Sequence, residues 1–372
     1  MLDLDLVDIV LFLLISIVFS SQLLGIHTTA ADTAGTPNTP NMLNPRGRRR
    51  PLIPLLNRHQ PPREEPAMFA TFYEVKPQDI VEVREILLKT RNLPIELVDM
   101  ILDRAEYWVC SSTTTQAVSG GPDCINIHGA RGGESQFLLR TKPLGLTKWL
   151  PSSQDLWRVE ATPKQLEKEY PESDLQQLAE GPLPTLQHPF RKIVFEIESC
   201  DQGYSNHSEH HGTYRSSFTW FEAGLERFDM NNQCQPDCPD QKTKADSSDL
   251  YIPTCAIRPI WPRVVHDQPT GAGSPRYDHS LLADKSHEIQ RNKHAVSQMQ
   301  HHRVEWYYND SINPESAEAK SLDEIGRGPG TGNGEFVRNL KLGDMITVWG
   351  HARFPGWMNS VKKVEVKVYW TI

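Results

Sequence analysis

Apolar residues change their spacing once along this chain, near residue 188. Upstream, Ile80, Val83 and Leu87 share one face of the segment from Pro77 to Thr90, with Pro77 admissible in a first turn. This spacing predicts a helix. The stretch LPIELVDMILDRAEYW, Leu93 to Trp108, predicts a second, with Leu97, Ile101 and Ala105 at four-residue spacing beside Val98 and Leu102. Downstream of Pro189 the period is two. Ile193, Phe195 and Ile197 alternate with Lys192, Glu196 and Glu198, and Val364, Val366, Val368 and Trp370 alternate with Glu365 and Lys367. Val304, Trp306 and Tyr308 alternate too, as do Ile346, Val348, Gly350, Ala352 and Phe354. Phe218 and Trp220 give way to Phe221, Ala223 and Leu225, a parity change that reads as a β-bulge. Strands of this kind with no helical pattern between them predict a two-sheet antiparallel sandwich.

The expected class is therefore α+β: a small N-terminal helical unit followed by an antiparallel, jelly-roll-like β-sandwich, with a disordered N-terminus and loop insertions. Residues 1–27 hold an apolar signal or membrane segment, 28–67 a linker rich in Pro, Asn, Thr and Arg, and 68–187 the helical unit plus loops. Within that unit Cys110–Gly133 reads as a Ser/Thr/Gly-rich loop. Residues 188–372 form the β module, with polar insertions at 229–290 and 313–333 expected to be surface excursions.

The run Ile9–Ile26 suits a signal-peptide core, a single membrane span or a misplaced gene start. Asp3, Asp5 and Asp8 precede it and Arg46, Arg48, Arg49 and Arg50 follow it. As a span, that asymmetry places the body of the protein in the cytoplasm or on the cytoplasmic face of a membrane. The alternative is secretion, in which the N-x-S sequons at Asn206 and Asn309 would carry sugar.

The blocks HPFRKIVFEIESCDQGYS, GTYRSSFTWFEAGL and LKLGDMITVWGHARFPGWMNSVKKVEVKVYW, with LPIELVDMILDRAEYW upstream, resemble a set of fungal proteins of unknown activity. The Arg353–Trp357 motif RFPGW is the most specific of these. That set has Arg at the position of His351. The resemblance implies a mostly intracellular fungal protein and supplies no catalytic residues. The segment Leu93–Leu102 also resembles the start of an F-box, a helical motif that docks on a ubiquitin-ligase adaptor.

Composition removes some classes of function. A net charge of −8 and a pI near 6.0 argue against a nucleic-acid binder. Six cysteines at irregular spacings are too few for a disulfide scaffold, and most read as free thiols. His207, His210 and His211 are ligand types that zinc accepts, but they crowd one polar loop, so no metal and no cofactor is expected. Cys234, Cys238, Cys255 and His266 lack tight C-x-x-C spacing, and His287, His294, His301 and His302 read as a solvated surface. No nucleophile elbow, P-loop or H-E-x-x-H pair occurs.

Aromatic residues give the candidate site. Alternation puts Trp220, Trp306 and Trp370 in the core, whereas Pro355-Gly356 sets Trp357 in a turn after a strand. Trp357 and an outward-facing Arg353, with Asp201 and Gln202 nearby, are the candidate ligand-binding residues; the competing reading makes Trp357 an anchor closing the end of the sandwich. The favoured function is a non-enzymatic binding or adaptor protein recognising a protein partner or a glycan. A carbohydrate-recognising secreted or membrane-anchored protein is the first alternative, and a metal-dependent hydrolase on the same sandwich the second.

Overall fold

The computed structural model describes residues 74–116, 124–130, 132–151, 154–179, 181, 186–232, 250–266 and 274–372. The apolar run Ile9–Ile26, the linker 28–67, Cys234 and Cys238 lie outside the described residues. Residues from Glu74 to Ile372 form one compact unit. Among the described residues no helix is long and apolar enough to cross a membrane.

Both predicted helices form. Helix α1, Pro77–Arg91, begins with Pro in its first turn and with the Asp79 carboxylate accepting from the Lys76 N–H at 2.7 Å. It ends at Asn92, which adopts a left-handed φ of 49°. Helix α2, Ile95–Arg104, buries Val98 and Leu102. Arg84 of α1 pairs with Asp99 of α2 at 2.9 Å, and Asp103 pairs with the buried Arg191 at 2.9 Å, which pins the helices to the sandwich. The sequence leads one to expect the Leu97/Ile101 face to be covered by the β module. Instead Leu97 is 46% exposed and Met100, one turn on, 65%, so α2 keeps an apolar pair in solvent, with Ile95, 48% exposed, on another side of its first turn.

The strands are β1 Val109–Gln116, β2 Ile125–His128, β3 Ser135–Arg140, β4 Phe190–Cys200, β5 Thr219–Phe228 and β6 Ile257–Trp261. They continue as β7 Val264–His266, β8 Pro275–Tyr277, β9 Glu288–Arg291, β10 Gln300–Tyr307, β11 Met345–Ala352 and β12 Met358–Trp370. One antiparallel sheet has the order β1-β12-β4-β10, with β2 also on β12. The other has the order β3-β11-β5-β6, with β9 also on β5, and β7-β8 form a separate hairpin. The α+β sandwich is as the periodicity predicts.

Three local expectations are corrected. The sandwich begins at Val109, and β1 runs on into the Cys110–Gly133 segment read as a loop, pairing along its length with β12 from Val109↔Trp370 to Gln116↔Lys363. The 229–290 insertion is no mere excursion, since β6 and β9 extend the second sheet. In the 313–333 insertion, helix α3 (Ala317–Glu324) buries Ala319, and Thr331 beyond it is buried as well.

The pairing of β5 with β11 explains the parity change in the sequence. Trp220 lies opposite His351, Glu222 opposite Trp349 and Gly224 opposite Thr347; the alternate set is Phe221, Ala223 and Leu225 against Gly350, Val348 and Ile346. The second set faces the first sheet, where a Cβ on Gly350 would come within 2.4 Å of Ile127. The first set faces outward but is roofed by Phe137 and Tyr277, which pack on Trp349. Both faces are buried, so apolar residues occupy both parities. A register slip is present as well, between Phe221 and Glu222 against β9, while the ladder to β11 runs unbroken.

Candidate functional site

Strands β4, β5, β11 and β12 run between two ends of the sandwich, and the candidate residues gather at one of them. At this corner Cys200 leads into Asp201, Ala352 into Arg353, and the turn Phe354–Trp357 feeds β12. The Trp357 N–H reaches the Phe354 carbonyl at 3.2 Å, and Gly356 sits at φ 93°, as a Pro-Gly turn of this kind requires. Phe354 itself takes φ 68°, a left-handed conformation that is costly for an aromatic residue. Gly129 crosses beneath; a Cβ there would meet the Phe354 carbonyl oxygen at 2.3 Å.

Arg353 has the parity the alternation predicts but is not on a free surface. It is 6% exposed, lies over the Trp220 ring and donates to the carbonyls of Glu134, Ser280 and Ala352. Asp201, 2% exposed, accepts from the main-chain N–H groups of Gly203, Ala295 and Val296 at 2.8, 2.6 and 2.8 Å. Burial pushes its carboxyl above the usual range, and those three donors pull it back. Both are committed to fastening loops, which corrects their placement among ligand-facing groups. Gln202 accepts from the Met358 N–H at 3.2 Å and donates to the Tyr204 carbonyl. Trp357 is half-buried, with its ring edge-on to Phe218 at 5.1 Å and to His294 at 5.1 Å. That is the anchoring geometry.

The hub of this corner was invisible in the sequence. His294, read there as surface, is fully buried. Its Nδ1 meets the Arg215 carbonyl at 2.9 Å and its Nε2 meets the Ser205 hydroxyl. His210 and His211 stand 6.1 and 5.7 Å from it by ring centre, and His207 stacks on His210. Ser205 bridges His211 and His294. Among the described residues no three His, Cys, Asp or Glu side chains are placed to hold a metal ion. His302, also expected at the surface, is buried too. Three aromatics do reach solvent at the corner: Tyr204, 71% exposed, Phe354, 40%, and part of Trp357.

Beside the corner, on the roofed outer face, Ser135 Oγ lies 3.0 Å from His351 Nδ1, and Glu222 Oε2 lies 3.6 Å from His351 Nε2. The sequence Ser–His–Glu is that of a nucleophilic relay. However, Arg353 donates into the serine oxygen at 3.1 Å, occupying one of its two lone pairs and making it a poorer nucleophile. Burial holds His351 far below its ordinary pKa and raises that of Glu222. The group works as a hydrogen-bonded fastening under the roof.

The other end of the sandwich holds what the corner lacks. A cavity of about 390 Å³ opens between Leu175, Phe190, Phe228, Leu342 and Trp370. Its lip is a closed ion network: Arg227 grips Asp344 at 2.6 and 3.1 Å and Glu169 at 2.7 Å, and Lys341 reaches Glu169 at 2.8 Å. Burial opposes the charge on Arg227, but the Asp344 bond and the two carboxylates outweigh it, and its pKa stands above the ordinary value. Asp344 is buried enough for its own carboxyl to be pushed up despite that partner. A second cavity shares Pro77, Gly145, Thr147 and Trp370 with the first and continues past Trp149 and Trp157. No known protein family, no curated protein and no solved structure matches this chain.

Proposed function

We propose that this chain is a non-enzymatic binding protein that holds a small, largely apolar ligand in the cavity beside Phe190, Phe228 and Trp370. The observation that carries this reading is an apolar volume of about 390 Å³ whose charged lip is already self-neutralised. Ligand cavities typically run from about 300 to 1,000 Å³, apolar with a few fixed polar groups. On the lip Arg227, Lys341, Asp344 and Glu169 are already paired with one another and only the exposed Glu172 is left over, so selection falls mainly to apolar shape. An environment-sensitive apolar fluorophore should bind the full chain. Leu342→Trp, which fills the volume, should weaken that binding at least about tenfold, on the order of what 1.4 kcal/mol of lost contact gives, with the melting temperature unchanged. Equal binding by both proteins overturns the assignment.

The adaptor form of this function has its own support in the solvent-facing pair Leu97 and Met100 of α2, as a docking helix requires. Carbohydrate recognition is favoured by one observation, the exposed Tyr204 and Phe354 rings at the corner. A glycan-binding screen of wild type against Tyr204→Ala and Phe354→Ala separates it from the cavity reading, which neither substitution touches. We place the protein on the cytoplasmic side. Asn206 and Asn309 are both exposed, so lumenal passage would leave glycosidase-sensitive sugar on one or both, and finding it would refute that placement.

A further inference from the structure

Strand β10 is the edge of the first sheet, and the segment from Asp310 to Gly332, including α3, folds over that edge. Between them lies a third cavity, also of about 390 Å³, walled by Trp306, Ile312, Leu322, Gly332, Arg303 and Arg327. Its charges are unevenly partnered. Arg303 binds Glu305 through Nε at 2.9 Å and also pairs with Glu196, and Glu305 accepts from the Tyr307 hydroxyl at 2.9 Å. Asp310 accepts from the Tyr307 N–H at 2.9 Å. Arg327 has no such partner. Among the described residues its guanidinium makes one hydrogen bond, to the main-chain carbonyl of Arg303 at 2.9 Å, and no carboxylate lies within ion-pair distance.

A half-buried guanidinium that meets only a carbonyl keeps several donors unspent while losing much of its water. Burial accordingly holds the Arg327 pKa below its ordinary value, with the Glu305 charge offsetting only part of that. A second, independent observation points the same way. Trp306, 2% exposed, lines this cavity, and its indole N–H has no acceptor among the described residues. A buried donor left unmet costs about 1–3 kcal/mol unless something from outside accepts from it. One cation and one neutral donor are thus left over in a cavity whose wall is otherwise Ile312, Leu322 and Gly332 together with the already partnered Glu305, Tyr307, Asp310 and Thr331.

We propose that the cavity beside β10 binds an oxyanion, carboxylate or phosphate, carried on a small apolar body. The oxyanion is held by the Arg327 guanidinium with the Trp306 indole N–H, and the body lies against Ile312 and Leu322. The site is separate from the cavity beside Trp370 and stands whether or not that one is filled.

Calorimetry on the full chain with phenyl phosphate, benzoate and the neutral benzyl alcohol tests it. At least one of the two anions should bind, more weakly as salt is raised, and benzyl alcohol should not match it. Phenyl phosphate alone binding identifies a phosphate ligand, and benzoate binding as well identifies the carboxylate. Arg327→Gln keeps a donor for the Arg303 carbonyl and removes the charge. It should weaken anion binding by about ten- to a hundredfold, the loss expected for a charge-assisted pair. Trp306→Phe removes the N–H together with the five-membered ring of a buried side chain; provided that its unfolding free energy shows the variant folded, it should weaken anion binding several-fold. The proposal fails if neither anion binds at about 5 mM, weaker than any specific small-anion site, if benzyl alcohol binds as well as the anions, or if Arg327→Gln binds them as tightly as wild type.

Discussion

The two ends of the sandwich solve the problem of closing a β-barrel-like core in opposite ways. At the corner, polar side chains turn inward and are spent on main-chain atoms: Asp201 on three N–H groups, Arg353 on three carbonyls, His294 on one more. At the cavity end, Arg227, Asp344, Glu169 and Lys341 satisfy one another around a volume that stays unfilled. The first arrangement fixes loop geometry, because main-chain acceptors cannot move without the fold. The second neutralises charge and ties the main chain beside Leu342 through one carboxylate, Asp344, which accepts from the Lys341 N–H at 2.9 Å. Side-chain ties to the main chain are thus denser where the aromatics are displayed than beside the void.

The largest test of that contrast is Arg353→Ala. Removing a buried guanidinium that serves three carbonyls and Ser135 should cost about 3 kcal/mol or more, read as a loss of unfolding free energy in urea. A loss under about 1 kcal/mol would mean water replaces it and the corner is not rigid. Trp357→Ala comes next, at about 2 kcal/mol, since the ring is half-buried and a fully buried Trp costs about 3–5.

Acid should act on the corner end first. His279 and His302 are both held down to about 4, chiefly by burial, and His351 lower still. A histidine whose folded pKa lies below its unfolded value binds fewer protons when folded. Its stability is therefore full above about 6.5 and is lost as pH falls towards 4. Glu288 works the other way: burial raises it to about 7, so its share is present at low pH and is lost as pH rises from 4.5 to about 7. Melting temperatures of wild type and His302→Leu across pH 4 to 7 should converge on acidification, and a constant gap would count against a neutral buried His302. Glu169 titrates below its ordinary value, held down by Lys341 and Arg227, so its pairs on the cavity lip should persist to lower pH, whereas Asp344, pushed up by burial, takes its proton earlier. The smallest effect belongs to Lys341→Ala: its side chain is 58% exposed, and a loss beyond about 1 kcal/mol would show the lip to be a structural lock.

Legibility from the sequence followed the number of covered faces. In β12 and β4 one face is polar, so Val364, Val366, Val368, Ile193, Phe195 and Ile197 stood out. In β1, VCSSTTTQ shows no apolar alternation because it is a half-exposed strand paired on one side only, and β-branched Thr is its one signal. The outer face of β11 carries Thr347, Trp349 and His351 and looks solvent-facing, since its roof arrives from Tyr277 in a distant insertion. The corner was found as a place: Asp201, Gln202 and Trp357 do converge. Their roles were misread because His294, which buries beside Trp357, carries no pattern of its own. The cavity end could not be read at all, for Phe190, Phe228 and Leu342 look like any other packed residues when the gap between them is unseen.

Strand β12 spans 13 residues and is the partner of β1, β2 and β4 alike. Every one of those strands is translated long before it, so the centre of the first sheet is delivered after the strands on either side of it. Until then β1 and β4 have no common neighbour, and their unmatched backbone edges and the Val- and Ile-rich faces beside them are open to other chains. Pairings between residues so far apart, such as Val109 with Trp370, also make the search for the native state slow. The nascent chain should therefore depend on holdase protection, and loss of β12 should give insoluble material in place of a smaller soluble protein.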